Sequence, residues 1–114
     1  MRARLIAACG EGGHRPGFGL IILDIDRFKI INYGYGDKLG DNLLCWIADQ
    51  LRRLLPPGCR VSRWGGQEFM CLLPAADHTV TDSLAETLRR SIELADPKLD
   101  EHDVHVTASF GTAV

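Results

Sequence analysis

The sequence has no Cys-x-x-Cys pair, no excess of basic residues, and no apolar run of membrane-spanning length. Each absence removes a class of function. Cys9, Cys45, Cys59 and Cys71 are scattered singly, which argues against a zinc site. Cys45 and Cys71 fall inside apolar periodic segments, where a thiol is expected to act as a small buried hydrophobe, and reduced thiols fit a cytosolic compartment. Thirteen Lys and Arg against 15 Asp and Glu give a net charge of −2 and a pI near 6.0. No basic surface therefore advertises binding to nucleic acid or to an acidic membrane. The run Leu20 to Leu23 is far too short to span a bilayer. The apolar stretch within residues 2–9 ends quickly at Gly10 and a Gly12-Gly13 loop, so it reads as the tail of an amphipathic helix rather than a signal peptide. Internal repeats and low-complexity linkers are also lacking.

What is present is an ordinary globular composition, 46% hydrophobic and 25% charged over 114 residues, enough for one domain and one core. Phe18 to Ile25 is nearly continuous in apolar residues, as a central strand buried on both faces is. Arg27 to Tyr33 is predicted to turn helically before Gly34 and Gly36 break it. Leu39 to Leu55 shows one apolar helical face, stopped by Pro56-Pro57-Gly58. Arg60–Arg63 and Glu68–Leu73 read as two strands joined by Trp64-Gly65-Gly66-Gln67, whose glycines allow the positive φ of a tight hairpin. Val80, Leu84, Leu88, Ile92 and Ala95 mark a further amphipathic helix up to Pro97. Asp100–Asp103 is a polar turn, and Val104 to Phe110 alternates like a half-buried strand. The order α-β-α-α-β-β-α-β predicts an α+β fold with a central mixed sheet flanked by helices.

Two stretches carry the chemistry: Asp24-Ile-Asp-Arg-Phe-Lys29 and Arg63-Trp-Gly-Gly-Gln-Glu-Phe69. Asp24 and Asp26 stand two apart at the carboxyl end of a buried strand, so both project to one side of the sheet, where open sheets place ligands. Carboxylates beside phosphates suit Mg²⁺, which keeps several waters and takes one or two protein ligands. The alternative is that these aspartates only end the strand and cap the next helix. Asn32 equally suits the end of a short helix, and Asp41 an N-cap of the following one.

Taken together, the motifs resemble the GGDEF family, the diguanylate cyclase domains of bacterial cyclic di-GMP signalling. Asp24 to Asn32 is similar to its D-x-D-x-F-K-x-x-N signature, Gly40-Asp41 to the Gly-Asp that follows, and Arg63 to Phe69 to the naming motif with one change. Thr107-Ala-Ser-Phe-Gly111 resembles its late T-x-S-x-G strand. The resemblance implies a mainly antiparallel sheet of nucleotidyl cyclase and polymerase palm type. It also implies condensation of two GTP to cyclic di-GMP and pyrophosphate by a homodimer with Mg²⁺ or Mn²⁺. By resemblance Asp24, the Ile25 carbonyl and Gln67 would be the metal ligands, and Asp24, Gln67 and Glu68 the catalytic set. The amides of Phe28 and Lys29 would hold the terminal phosphates, Asn32 and Asp41 would read the guanine edge, and Gly65 and Gly66 would let the hairpin approach the nucleotide.

The chain departs from that pattern at informative places. Gln67 stands where the active pattern has Asp or Glu, which removes a negative charge from a site meant for dications. Glu68 is adjacent, but neighbours on a hairpin face opposite ways. Pro56 and Cys59 occupy the positions of the product-inhibition R-x-x-D, leaving Arg52, Arg53, Arg60 and Arg63 as a solvated rim. Asp37 replaces the usual His. Residues 1–114 are therefore expected to be a GGDEF fragment lacking the opening signature and the final strand and helix. Its cyclase activity is expected to be weak or absent, with an active cyclase as the alternative. The implied setting is cytoplasmic, within a larger protein, with or without a membrane anchor, bearing sensor or EAL-type phosphodiesterase domains.

Overall fold

The computed structural model describes residues 17–114. Strand β1 (Phe18–Ile25) leads into helix α1 (Phe28–Tyr35) and then helix α2 (Asp37–Leu54). The hairpin β2 (Arg60–Arg63) and β3 (Glu68–Pro74) follows, then α3 (His78–Ala95), a two-residue ribbon of β4 (Lys98–Leu99) and β5 (His102–Asp103), and β6 (Ala108–Ala113). The main sheet has the order β2-β3-β1-β6, and every pairing is antiparallel. This is an α+β fold with helices laid on an antiparallel sheet.

Alternation along β1 divides its apolar side chains between two faces. Ile21, Leu23 and Ile25 point to the helices, where they meet Phe69, Cys71 and Leu73 of β3. Leu39, Leu43, Ile47 and Leu51 of α2, with Ala85, Leu88 and Ile92 of α3, close this core. Leu20 and Ile22 are buried on the opposite face beside Met70, Leu72 and Ala113. Burial of β1 on both faces explains its unbroken apolar sequence. No helix among the described residues is long and apolar enough to cross a membrane.

Several local expectations shift. Helix α1 runs through Gly34 and ends only at Gly36, which takes φ 103°. Helix α2 starts at Asp37, so Asp41 lies inside it and is not its N-cap. Of the hairpin glycines, Gly65 adopts a positive φ of 99° and Gly66 does not. Asp100–Asp103 is part of the β4–β5 ribbon. Val104 and Val106 are buried as the alternation predicts, but sheet pairing starts at Ala108, and the Val104 amide bonds to the Pro97 carbonyl at 3.0 Å. Cys45 is exposed on α2, while Cys71 is fully buried and its thiol is pushed up to about 12 by burial. The helical tail expected at residues 2–9 lies outside the described residues.

Helix α3 shows how packing overrides hydropathy. Asp77 caps it, its side chain accepting from the Val80 amide at 2.9 Å. The buried stripe is Thr81, Ala85, Leu88 and Ile92, whereas Val80 is exposed. Thr81 rests on Gly19 of β1, where any Cβ would collide with its hydroxyl. That hydroxyl is fully buried and has no hydrogen-bond partner among the described residues. An unsatisfied buried hydroxyl costs about 1–3 kcal/mol, and valine keeps its shape. Thr81→Val is therefore expected to raise the urea unfolding free energy by about 1 kcal/mol. Destabilisation of similar size would mean that the hydroxyl is partnered in solution.

Candidate nucleotide and metal site

The carboxyl end of β1, the turn into α1 and the β2–β3 hairpin enclose an open hollow of about 390 Å³. Asp24, Ile25, Asp26, Phe28, Lys29 and Gln67 are among its lining residues. The backbone fixes this grouping. The Ile25 amide donates to the Gln67 carbonyl at 3.2 Å, and the Asp26 amide to the Thr107 carbonyl at 3.0 Å. The end of β1 is thus held from both sides, by β3 and by the approach to β6.

The chain then turns sharply at Arg27, whose φ of 58° is left-handed. For a non-glycine residue this costs about 1–2 kcal/mol. Helix α1 starts immediately, with the Ile31 amide bonded to the Arg27 carbonyl at 3.0 Å and no side chain capping the earlier amides. The first N–H groups of a helix lack internal partners and attract anions, and here the residues that carry them, Phe28 and Lys29, line the hollow together with Asp24 and Gln67. Lys29 lies in the same turn, and among the described residues neither it nor Asp24 has an ion-pair partner.

Asp26 is engaged differently. Thr107 Oγ1 donates to its Oδ2 at 2.8 Å and Ser109 Oγ to its Oδ1 at 2.7 Å. The alternating T-x-S places both hydroxyls on one face, a signal that the sequence carried without showing its target. The hairpin is braced by Arg63, whose Nε and Nη2 donate to the Gly66 carbonyl at 3.2 and 2.8 Å. The Trp64 amide closes it onto the Glu68 carbonyl at 2.6 Å.

Gln67 and Glu68 take separate places. Glu68 is the register partner of Asp24, so the two share a face of the sheet. Its Oε1 sits beneath Gly65, 3.3 Å from where a Cβ would be, and Glu68 does not line the hollow, whereas Gln67 does. Asn32, Asp41, Gly65 and Gly66 also lie off the hollow's lining. Asn32 packs instead against Gly40 at the crossing of α1 and α2, one residue before Asp41. Gly40 is buried directly against Asn32, where a Cβ would run into Asn32 Oδ1, and Asp41 follows it exposed to solvent. Asn32 Nδ2 donates to Asp37 Oδ1 at 3.1 Å, a contact that gives Asp37 a local role the sequence did not suggest.

Comparison with known proteins decides what this arrangement belongs to. The family model described as "Diguanylate cyclase, GGDEF domain" matches residues 4–114. The chain belongs to the GGDEF domain family. Among curated relatives it is 45% identical to the Escherichia coli diguanylate cyclase DgcM over 75 residues, covering 66% of this chain and 18% of DgcM. It is 39% identical to Vibrio cholerae diguanylate cyclase VdcA over 95 residues, covering 81% of this chain and 28% of VdcA. This GGDEF domain chain therefore spans well under a third of the length of these relatives. Among solved structures, the GGDEF domain of Pseudomonas aeruginosa YfiN superposes with a TM-score of 0.82 at 31% identity, covering 96% of this chain and 68% of that one. The active GGEEF domain of a Vibrio cholerae diguanylate cyclase gives 0.76 at 28% identity, covering 83% and 60%.

The chemistry of the donor set fits Mg²⁺ delivered with a nucleotide better than a dedicated metal cage. Among the described residues no three His, Cys, Asp or Glu converge as a metal site. The hollow instead offers the Asp24 carboxylate, the Ile25 carbonyl and the Gln67 amide oxygen beside helix-start amides. Mg²⁺ commonly takes one or two such oxygens and completes its shell with phosphate and water.

Proposed function

We propose that this chain is a GTP- and Mg²⁺-binding GGDEF domain of bacterial cyclic di-GMP signalling in which catalysis is weak or lost and the role is regulatory. The observation that carries this reading is Gln67 lining the same hollow as Asp24. The Vibrio cholerae domain described as active reads GGEEF, with a carboxylate where this chain reads Gly65-Gly66-Gln67-Glu68-Phe69. When bound, Mg²⁺ would neutralise phosphate charge and lower the pKa of an attacking hydroxyl. Asp24, the Ile25 carbonyl and Gln67 would hold it, and Gln67 would contribute no charge.

The remaining residues serve binding. The amides of Phe28 and Lys29 meet terminal phosphates without a competing side-chain cap. Asn32 and Asp41 face a guanine edge at the α1–α2 crossing, and an Asp accepting from the N1 and N2 protons of guanine rejects adenine. Gly65 and Gly66 keep the hairpin tip free of side chains near the nucleotide. A second reading, an active cyclase working as a homodimer, draws on the relatives named diguanylate cyclases. The curated relative MucR is a bifunctional diguanylate cyclase and cyclic di-GMP phosphodiesterase, which fits a regulatory GGDEF domain fused to an EAL-type partner in the cytoplasm.

Calorimetry on the full-length protein with Mg²⁺ tests retained binding. GTP is expected to bind at least ~100-fold more tightly than ATP, the discrimination that polar groups left unpaired against adenine supply. Equal affinity for the two nucleotides, or none for either, would overturn the assignment of Asn32 and Asp41.

A further inference from the structure

Asp26 lines the same hollow as Asp24, and two carboxylates at a strand end invite assignment of both to metal. Its contacts point elsewhere. Each carboxylate oxygen accepts a short hydroxyl bond, from Thr107 at 2.8 Å and from Ser109 at 2.7 Å, while the Asp26 amide donates to the Thr107 carbonyl at 3.0 Å. These bonds join residues 81 and 83 apart in the chain. They end directly before Arg27, the left-handed residue that aims the start of α1. A non-glycine residue stays in that region only where its surroundings over-determine it. Arg27 gains no side-chain cap, so the turn is fixed by the Asp26 clamp on one side and the Ile31–Arg27 helical bond on the other.

We propose that Asp26 is a positioning residue: the clamp of Thr107 and Ser109 on its carboxylate holds the Arg27 turn so that the Phe28 and Lys29 amides face the nucleotide phosphates. Asp26 binds no metal itself. This rests on the reading of the hollow as a GTP site. It also gives the T-x-S alternation of residues 107–109 a function at the site.

The test compares the full-length native protein with Asp26→Ala, Asp26→Asn and a Thr107→Val/Ser109→Ala double variant. GTP and guanosine affinities are measured by calorimetry across a Mg²⁺ titration. Loss of the clamp is expected to weaken GTP about tenfold in Asp26→Ala and in the double variant, the worth of one charge-assisted hydrogen bond. Guanosine, which lacks phosphates, is expected to bind all variants as it binds the native protein. Asp26→Asn is expected to recover most of the loss, because a rotating hydroxyl can accept from its amide. The Mg²⁺ midpoint stays unchanged throughout. An Asp26→Asn protein as poor as Asp26→Ala, with its Mg²⁺ midpoint shifted upward, would make Asp26 a metal ligand and overturn the proposal. Native GTP affinity in the double variant would overturn it as well. Failure of the native protein to bind GTP would instead overturn the functional reading, and this inference with it.

Discussion

Gln67→Glu is expected to raise the rate of cyclic di-GMP formation by the full-length protein by about 10²–10³-fold. The gain is electrostatic. On the proposed reading the hollow would hold dications against a triphosphate, and among the described residues its one free carboxylate is Asp24, since Asp26 is engaged by two hydroxyls. Glutamine offers a neutral oxygen of the same reach, so the exchange restores one negative charge without changing the side chain's length. The backbone is already in place, with the Gln67 carbonyl accepting from the Ile25 amide at 3.2 Å. One preorganised electrostatic stabiliser is worth about 2.7–4 kcal/mol at a transition state. Glu68 does not substitute for it, because its carboxylate lies under Gly65 rather than in the hollow. Product chromatography at saturating GTP measures the ratio. A native rate within threefold of the variant's would show that the neutral amide suffices.

Asp41→Ala is expected to lower GTP affinity by about 10²–10⁴-fold and to abolish preference over ATP. A carboxylate accepting two guanine protons supplies hydrogen bonds to a charged group, each worth about 1.5–3 kcal/mol. The structure makes this a clean removal. Asp41 is exposed inside α2, where alanine is the best helix former, and the packing partner of Asn32 is Gly40 rather than Asp41. Chemical denaturation should therefore show little change in stability. Binding of GTP and ATP measured side by side reads the loss, and retained discrimination would move guanine recognition away from this corner.

The sequence exposed those parts of the fold that local patterning determines. The unbroken apolar run of β1, the Pro56-Pro57-Gly58 stop after α2 and the Gly65 turn each follow from backbone or burial rules that act over a few residues. Parts set by distant partners were hidden. Hydropathy assigns Val80 to the buried face of α3, but Gly19 on β1 leaves room for Thr81 instead; the stripe shifts by one residue in the first half of the helix, to Thr81 and Ala85, while Leu88 and Ile92 are buried as predicted. Alternation from Val104 predicts a strand, yet no neighbouring strand pairs before Ala108. Cys45 sits among apolar residues of α2 and still faces outward, because its neighbours Leu43, Leu44 and Ile47 fill the core side.

The site divides the same way. Asp24, Ile25, Phe28, Lys29 and Gln67 meet in one hollow because β1, its turn and the hairpin are bound by register. Asn32 lies at a second corner, against Gly40 of α2, and Asp41 follows Gly40 in that helix. The Asp26 clamp was invisible, since nothing local links Asp26 to Thr107 and Ser109.

The most direct measurement loads the native full-length protein with labelled GTP and Mg²⁺ and follows bound nucleotide and cyclic di-GMP in the same samples over time. The expected result is GTP that stays bound and largely unconverted over a period in which the Gln67→Glu protein turns it fully to product. Conversion by the native protein at the rate of that variant, or the absence of bound GTP from the start, would contradict a GGDEF domain that keeps its nucleotide and has given up most of its chemistry.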